Sequence, residues 1–515
     1  MTPRLRDPRW ALGFVLGTLL TVGVLGPAFA GSEAEGKSGG ETDQGDEAEA
    51  HGASGKNDAH SSEISDEYIP LQLEGFPERP KFLVELGNPY LGTGDIKPGF
   101  RLPTGAYWQP TLIVFGTLRS AIQSFEINDF RVTEWANRLD LFANLQLSGT
   151  ERLVVGFRNF DQDGRFTSYI FEPGSSSPEF QALFGDDDAF RDELNAEIQS
   201  LYFEGDFGEI FPGIDREDFR RTNIGFSIGR QPLIFQEGML INDSIDGVGV
   251  TRNTLLPRNT SNFRATLFVG AGDVHRNNVE DNDAELYALL TSTDIRTSTI
   301  DADLVYVRGS EASGDMVGFG VSAVQRIGKI NTSFRLLGSY AVDEETAFST
   351  EGALLFSEVS YTPRYSQDLV YFTSFVAVDE FSAAASGPAS GGPLGRAGIS
   401  FAAVGLGNYG APLSSRARDV VGGAVGYQKF FGVEKRRQLL AEVGFRAGTS
   451  SDVSNQVAAT VRYQRAMGRR VVLVWDGFAS YREGLGTSDA VFDTTGDTTG
   501  DTTGLGGRFE VVVKF

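Results

Sequence analysis

The residues best equipped for chemistry in this chain are arginines and carboxylates at the polar positions of alternating runs. Arg138, Arg152, Arg158, Arg264, Arg335, Arg446, Arg462 and Arg482 are the cations, and Asp140, Glu442 and Asp476 are the anions. Brought onto one face of a sheet, opposed guanidinium and carboxylate rows set a transverse field that orients ions and polar solutes. The plainer role for the same groups is ion pairing that braces a wall. A membrane barrel would dictate the face, because charge on the lipid side costs about 2–4 kcal/mol at midplane.

Histidine and clustered aspartate are the other candidates. His51 and His60 lie in a Gly/Ser/Glu-rich stretch and read as solvated side chains. His275 sits in Gly272-Asp273-Val274-His275-Arg276, where Asp273 could form a dyad with it. No serine elbow or metal-ligand cluster accompanies it, so an enzyme is not expected, and the reading assigns no catalytic residue, cofactor or metal. Three tandem Asp-Thr-Thr-Gly units run from Asp493 to Gly504. Their period of four, with no bidentate Glu, does not match calcium repeats, and the expectation is a repeat-expanded surface loop.

The elements that would position these groups are strands with a two-residue period. Leu139, Leu141, Ala143, Leu145 and Leu147 share one face, against Arg138, Asp140, Asn144, Gln146 and Ser148 on the other. The turn at Gly149-Thr150 leads to a partner with Leu153, Val155 and Phe157 opposite Arg152 and Arg158. Leu439, Ala441, Val443 and Phe445 oppose Gln438, Glu442 and Arg446, and Val457, Ala459, Val461 and Tyr463 oppose Thr460 and Arg462. Such hairpins fit a soluble sandwich or a membrane barrel. Strands of about 10–13 residues favour the barrel, being longer than those of most soluble sheets.

Connections alternate in length. Reading back from Phe515, they are long (about 484–504), tight (466–469), medium (449–455), short (432–436) and very long (about 380–418). Short turns at one end and long loops at the other are the pattern of an outer-membrane barrel. Continued upstream to near Tyr107, the pattern predicts about 18 strands, within 16–20.

Composition agrees. The chain has 515 residues, 63 Gly, 39 Phe and no Cys, with a formal net charge of −24. No basic stripe with interleaved aromatics is present, so nucleic acid is not an expected partner. Arg4, Arg6 and Arg9 precede an uncharged run from Ala11 to Gly26 and a Pro27-Ala28-Phe29-Ala30 site, which predicts a signal peptide over 1–30. Residues 31–80 are expected to be a disordered acidic periplasmic tail, and 81–515 the barrel.

The chain ends Phe509-Glu510-Val511-Val512-Val513-Lys514-Phe515. An amphipathic last strand closing on Phe resembles the sorting signal of bacterial outer-membrane β-barrels. Inside the chain, Gly229-Arg230-Gln231, the loop Pro232 to Ile245, and Asp246-Gly247-Val248 are similar to the alginate-export group of porins over about thirty residues. The resemblance implies a large barrel with an interior loop and an arginine-lined passage. The loop departs from the group in being mostly apolar, so the architecture is carried over and the substrate is not. Leu233, Phe235, Glu237, Met239 and Asp243 are its candidate constriction residues. The loop either packs inwards or forms an extracellular tip, and exposing apolar side chains to water favours the inward course.

The expectation is therefore an all-β fold, a single transmembrane antiparallel barrel in the outer membrane of a Gram-negative bacterium. Its partners would be outer-membrane lipid and small hydrophilic solutes that diffuse through it, with homo-oligomerisation left open. The competing reading is a non-conducting barrel whose long loops bind a partner.

Overall fold

Alternating strands that hydrogen-bond to both neighbours must either end in an edge or close, and here they close. The computed structural model is an antiparallel barrel of 18 wall strands. The structure describes residues 79–90, 97–127, 130–162, 164–173, 190–214, 223–388, 390–407, 409–484 and 501–515. The expected signal peptide, nearly all of the acidic tail and the first two Asp-Thr-Thr-Gly units lie outside the described residues.

The first half of the wall is β1 (Thr111–Ile127), β2 (Phe130–Gln146), β3 (Arg152–Arg158), β4 (Ile198–Asp206), β5 (Ile224–Phe235), β6 (Ile241–Leu255), β7 (Asn262–Ala271), β8 (Glu285–Ile295) and β9 (Ser298–Arg308). The second half is β10 (Met316–Ile327), β11 (Ile330–Ala341), β12 (Gly352–Tyr361), β13 (Leu369–Phe381), β14 (Ala417–Phe431), β15 (Arg437–Gly448), β16 (Gln456–Met467), β17 (Val471–Arg482) and β18 (Thr502–Lys514). Past an interruption, β3 resumes as Arg165–Pro173, which pairs with the far end of β2. The wall starts at Thr111 and not near Tyr107; Tyr107–Trp108 instead pairs with Phe100–Arg101. The last Asp-Thr-Thr-Gly unit is also not loop, since Thr502 already belongs to β18.

β18 returns to β1, with Gly504 opposite Ile127 and Lys514 opposite Thr117. The final residue completes the seam: Gly116 N–H donates to the Phe515 carbonyl at 2.9 Å, and Phe515 N–H donates to the Gly116 carbonyl at 3.1 Å. A Cβ at Gly116 would stand 2.8 Å from the Phe515 ring, so glycine is what lets the terminal aromatic seat there. Beyond the seam, Val84–Leu86 pairs with the free edge of β1.

The short turns follow from local chemistry. Ile327 opposes Ile330 around Gly328-Lys329, with Gly328 in the left-handed region at φ 62°. Gly468 at φ 69° opens the tight turn between β16 and β17.

Strand alternation then sorts the side chains. Tyr287, Leu289, Leu304, Phe319, Val321, Leu336, Val443, Phe445 and Leu505 are exposed on the outside. A closed barrel girdled by bare aliphatic and aromatic side chains is built for lipid, not water. The inner face departs from the expectation of polar residues throughout. Leu286 and Leu290 on β8, Val305 and Val307 on β9, Met316, Leu337, Leu354, Phe356 and Phe375 are all buried. They share strand parity with the lumen-facing groups, so on β8–β13 both faces are largely apolar. The reason is that two connecting segments fold into the lumen and give these positions an apolar partner.

Candidate functional site

The first inward segment is the β5–β6 hairpin. β4 pairs with β5 only as far as Arg230, and β7 pairs with β6 only from Gly247. Beyond those points the two strands leave the wall and pair with each other, to Phe235 opposite Ile241. Gly229 makes the bend at φ 114°, where a Cβ would stand 2.2 Å from the Leu201 carbonyl oxygen. The glycine of the Gly-Arg-Gln motif is thus a steric requirement. At the tip, Gln236, Glu237 and Gly238 all adopt positive φ. Gln236 donates to Asp303 at 2.7 Å, over a space kept open by Gly320. Glu237 pairs with Arg335 at 3.2 Å, and Arg335 also donates to Glu358 at 2.6 Å.

Alternation gives this hairpin two faces. Leu233, Met239, Leu240, Ile241 and Ile245 are buried in an apolar core, with Phe235 packed against it. Pro232 and Ile234 are exposed on the other face. Asp243 is buried and fixes the hairpin to the β7–β8 connection. It accepts the His275 backbone N–H at 2.8 Å and lies 2.9 Å from His275 Nδ1. The Asp273–His275 dyad that the sequence spacing allows does not form; Asp273 accepts from Arg230 at 2.5 Å. Burial opposes charge on His275, but the hydrogen bond and negative charge of Asp243 hold its pKa above the ordinary imidazole value. Among the described residues no His/Cys/Asp/Glu cluster could hold a metal ion.

The second inward segment is the connection 382–416, which the loop pattern places outside the barrel. Its Ala385–Ser386 adds a parallel strand to Ile241–Asn242. Ala384, Leu394, Ala397, Phe401 and Leu413 join the same core as the hairpin, and Phe401 meets Phe375 edge-on at 5.4 Å. Polar side chains of the far wall satisfy its backbone. Glu442 accepts the N–H groups of Ile399 at 3.0 Å and Ser400 at 2.7 Å, and the Tyr371 hydroxyl. Arg446 donates to the Ser414 carbonyl at 2.7 Å. Arg508 donates to the Val404 carbonyl at 2.6 Å, and Gln123 accepts the Leu406 N–H at 3.2 Å. Glu442 and Arg446 are therefore buried anchors and do not line open lumen.

The remaining charges form two chains along the polar wall. Arg138 donates to Asp140 at 2.9 Å, and Arg158 bridges Asp140 at 3.1 Å and Asp161 at 3.3 Å. Arg119 pairs with Glu510, Glu510 lies 2.7 Å from Arg508, Arg508 donates to Asp476 at 2.9 Å, and Asp476 accepts from Arg462 at 2.5 Å. Arg119 and Arg138 stand directly opposite across β1 and β2. Arg152 donates to Glu204 at 2.5 Å. Arg482 lies opposite Gln456 and Thr502, away from both chains. Arg119, Arg508 and Glu510 are members of the ladder that sequence reasoning did not select. The signal for Glu510 was its place opposite the apolar face of the last strand; Arg508 follows Gly506-Gly507, where alternation is interrupted.

Two cavities flank the hairpin in the lumen. One, of about 230 Å³, lies towards the long connections and is bounded by Arg158, Asp161, Arg230 and His275. The other, of about 270 Å³, lies towards the short turns and is bounded by Arg264, Ser292, Asp301 and Arg335. Arrayed this way, the inner surface can hold water and present both signs of charge to a passing solute.

No protein-family model matches this chain, and no curated protein matches it. Solved structures do. A BenF-like porin from Pseudomonas fluorescens Pf-5 is 10% identical over 78% of this chain and 98% of its own, with a TM-score of 0.53. Pseudomonas aeruginosa OpdK, solved with vanillate, is 12% identical over 78% and 98%, with a TM-score of 0.49. Neither is named as an alginate exporter, so that finer resemblance rests on the Gly229–Val248 stretch alone. What the likeness to the BenF-like porin establishes for this chain is its fold alone, a closed 18-strand antiparallel barrel.

Proposed function

We propose that the protein is an outer-membrane channel through which small hydrophilic solutes diffuse passively. The observation that carries this reading is the division of the lumen. The inward segments pack a dry core against the long-connection half of β8–β13, while charged groups and two cavities flank it, one beside β3–β5 and one at the short-turn ends of β7–β11. A barrel meant only to display loops has no use for charged groups facing an internal cavity, since a packed apolar interior would be more stable. The lipid-facing girdle places the barrel in a membrane, and the aromatic carboxy-terminus supports the outer one. The binding of vanillate by a structural neighbour is not carried over, nor is alginate; the solute here is defined only as small and polar.

Reconstitution of the full chain into planar bilayers tests the proposal. Discrete, stable conductance steps are expected in potassium chloride. Folded protein that inserts and stays electrically silent would favour the surface-barrel reading.

A further inference from the structure

We propose that Ile234 is a selectivity-determining residue, an apolar sill between two charged chambers that favours elongated solutes with charged ends and an apolar middle. The inference deepens the channel reading and rests on it. Among the described residues, Ile234 is the one residue that borders both of the cavities flanking the hairpin. It is 56% exposed although it sits inside the barrel. An isoleucine so placed faces the route, not the core.

The hairpin cannot easily turn it away. Its strand neighbour Leu233 is buried on the opposite face, so rotating Ile234 inwards would expose Leu233. The tip beyond it is held by Gln236 on Asp303 and Glu237 on Arg335, and Arg396 donates to the Glu237 carbonyl at 3.0 Å. The chambers on either side carry both signs. Arg158, Arg230 and Asp161 border one. In the other, Arg264, Ser292, Asp301, Ser322 and Arg335 form one lateral row, each opposite the next across β7 to β11. A compact hydrated ion that loses water beside Ile234 gains only the cross-strand neighbour Asn242 in exchange, which raises its barrier. A solute with a methylene middle places that middle on the sill and leaves its charged ends in the chambers.

The test uses liposome swelling with two zwitterions of similar length, 6-aminohexanoate and glycylglycine, together with single-channel conductance in potassium chloride. Wild-type protein should pass 6-aminohexanoate faster than glycylglycine. In Ile234→Ser that preference should collapse towards parity, and potassium chloride conductance should rise about twofold. Ile234→Val, which keeps the apolar surface, should behave as wild type. Wild-type protein that conducts but matches Ile234→Ser in both measurements overturns the sill, as does Ile234→Val departing as far as Ile234→Ser. Wild-type protein that conducts nothing overturns the channel reading itself.

Discussion

The lumen has a dry side and a wet side, built from the same alternating strands. On β8–β13 the inward positions nearer the long connections are mostly Leu, Val, Met and Phe, packed against the hairpin and the 382–416 segment, while Ser292, Asp301, Ser322 and Arg335 take over nearer the short turns. On β15–β18 and β1–β3 they are Arg, Asp, Glu and Gln, paired with one another or with loop backbone. Strand geometry dictates only that a residue faces inwards. Whether that position wants a methyl or a guanidinium is decided by what sits across from it. The wet side is thus not uniformly wet: Glu442, Arg446 and Arg508 are covered by the segment they anchor, while Arg158 borders open space.

The comparison can be broken hardest at Arg508, whose side chain is 2% exposed and sits between Asp476 and Glu510. Arg508→Ala would remove the cation shared by two buried carboxylates, leaving Asp476 to Arg462 and Glu510 to Arg119 alone, and should cost about 3–5 kcal/mol in urea unfolding of the lipid-embedded protein. On the dry side, Leu240→Ala should cost about 2–5 kcal/mol, confined to the inward segments. Hydrogen exchange would read this as faster exchange at Ala384 and Gly387, whose amides bond to the hairpin, with wall amides unchanged. The outer face gives a third, slightly smaller effect. Leu289, 42% exposed, should cost about 2–4 kcal/mol on conversion to Lys if it faces lipid, and almost nothing if it faces water.

The smallest effect is pH-dependent. The pKa of His275 is raised in the folded protein, so its bond to Asp243 is strongest below the unfolded value of about 6.5 and weakens as pH rises through the folded one. Hairpin docking should therefore loosen between mildly acid and mildly alkaline conditions, seen as more frequent conductance fluctuations. His275→Gln should remove that dependence while leaving mean conductance nearly unchanged.

Much of the wall was legible because strand period leaves a direct trace. The pairing of Asp140 with Arg158 and of Asp476 with Arg462 follows from face and turn length alone. The inward hairpin was half legible: its apolar residues argued against water, and the Gly229 bend was visible as a motif. The course of 382–416 was not. Its Gly, Ala, Ser and Pro read as a surface loop, because its backbone partners Glu442, Arg446 and Gln123 come from strands far away in sequence. For the same reason His275 was matched with its near neighbour Asp273, when a carboxylate from another element held it.

The division of the lumen is tested most directly by single cysteines, since the chain has none of its own. Ser292→Cys borders the cavity towards the short turns and Ala384→Cys lies in the dry core. A charged, water-soluble thiol reagent should modify Ser292→Cys rapidly and reduce its single-channel conductance, and should leave Ala384→Cys unmodified. Equal reaction at the two positions, or modification of Ser292→Cys with no change in current, would contradict the account.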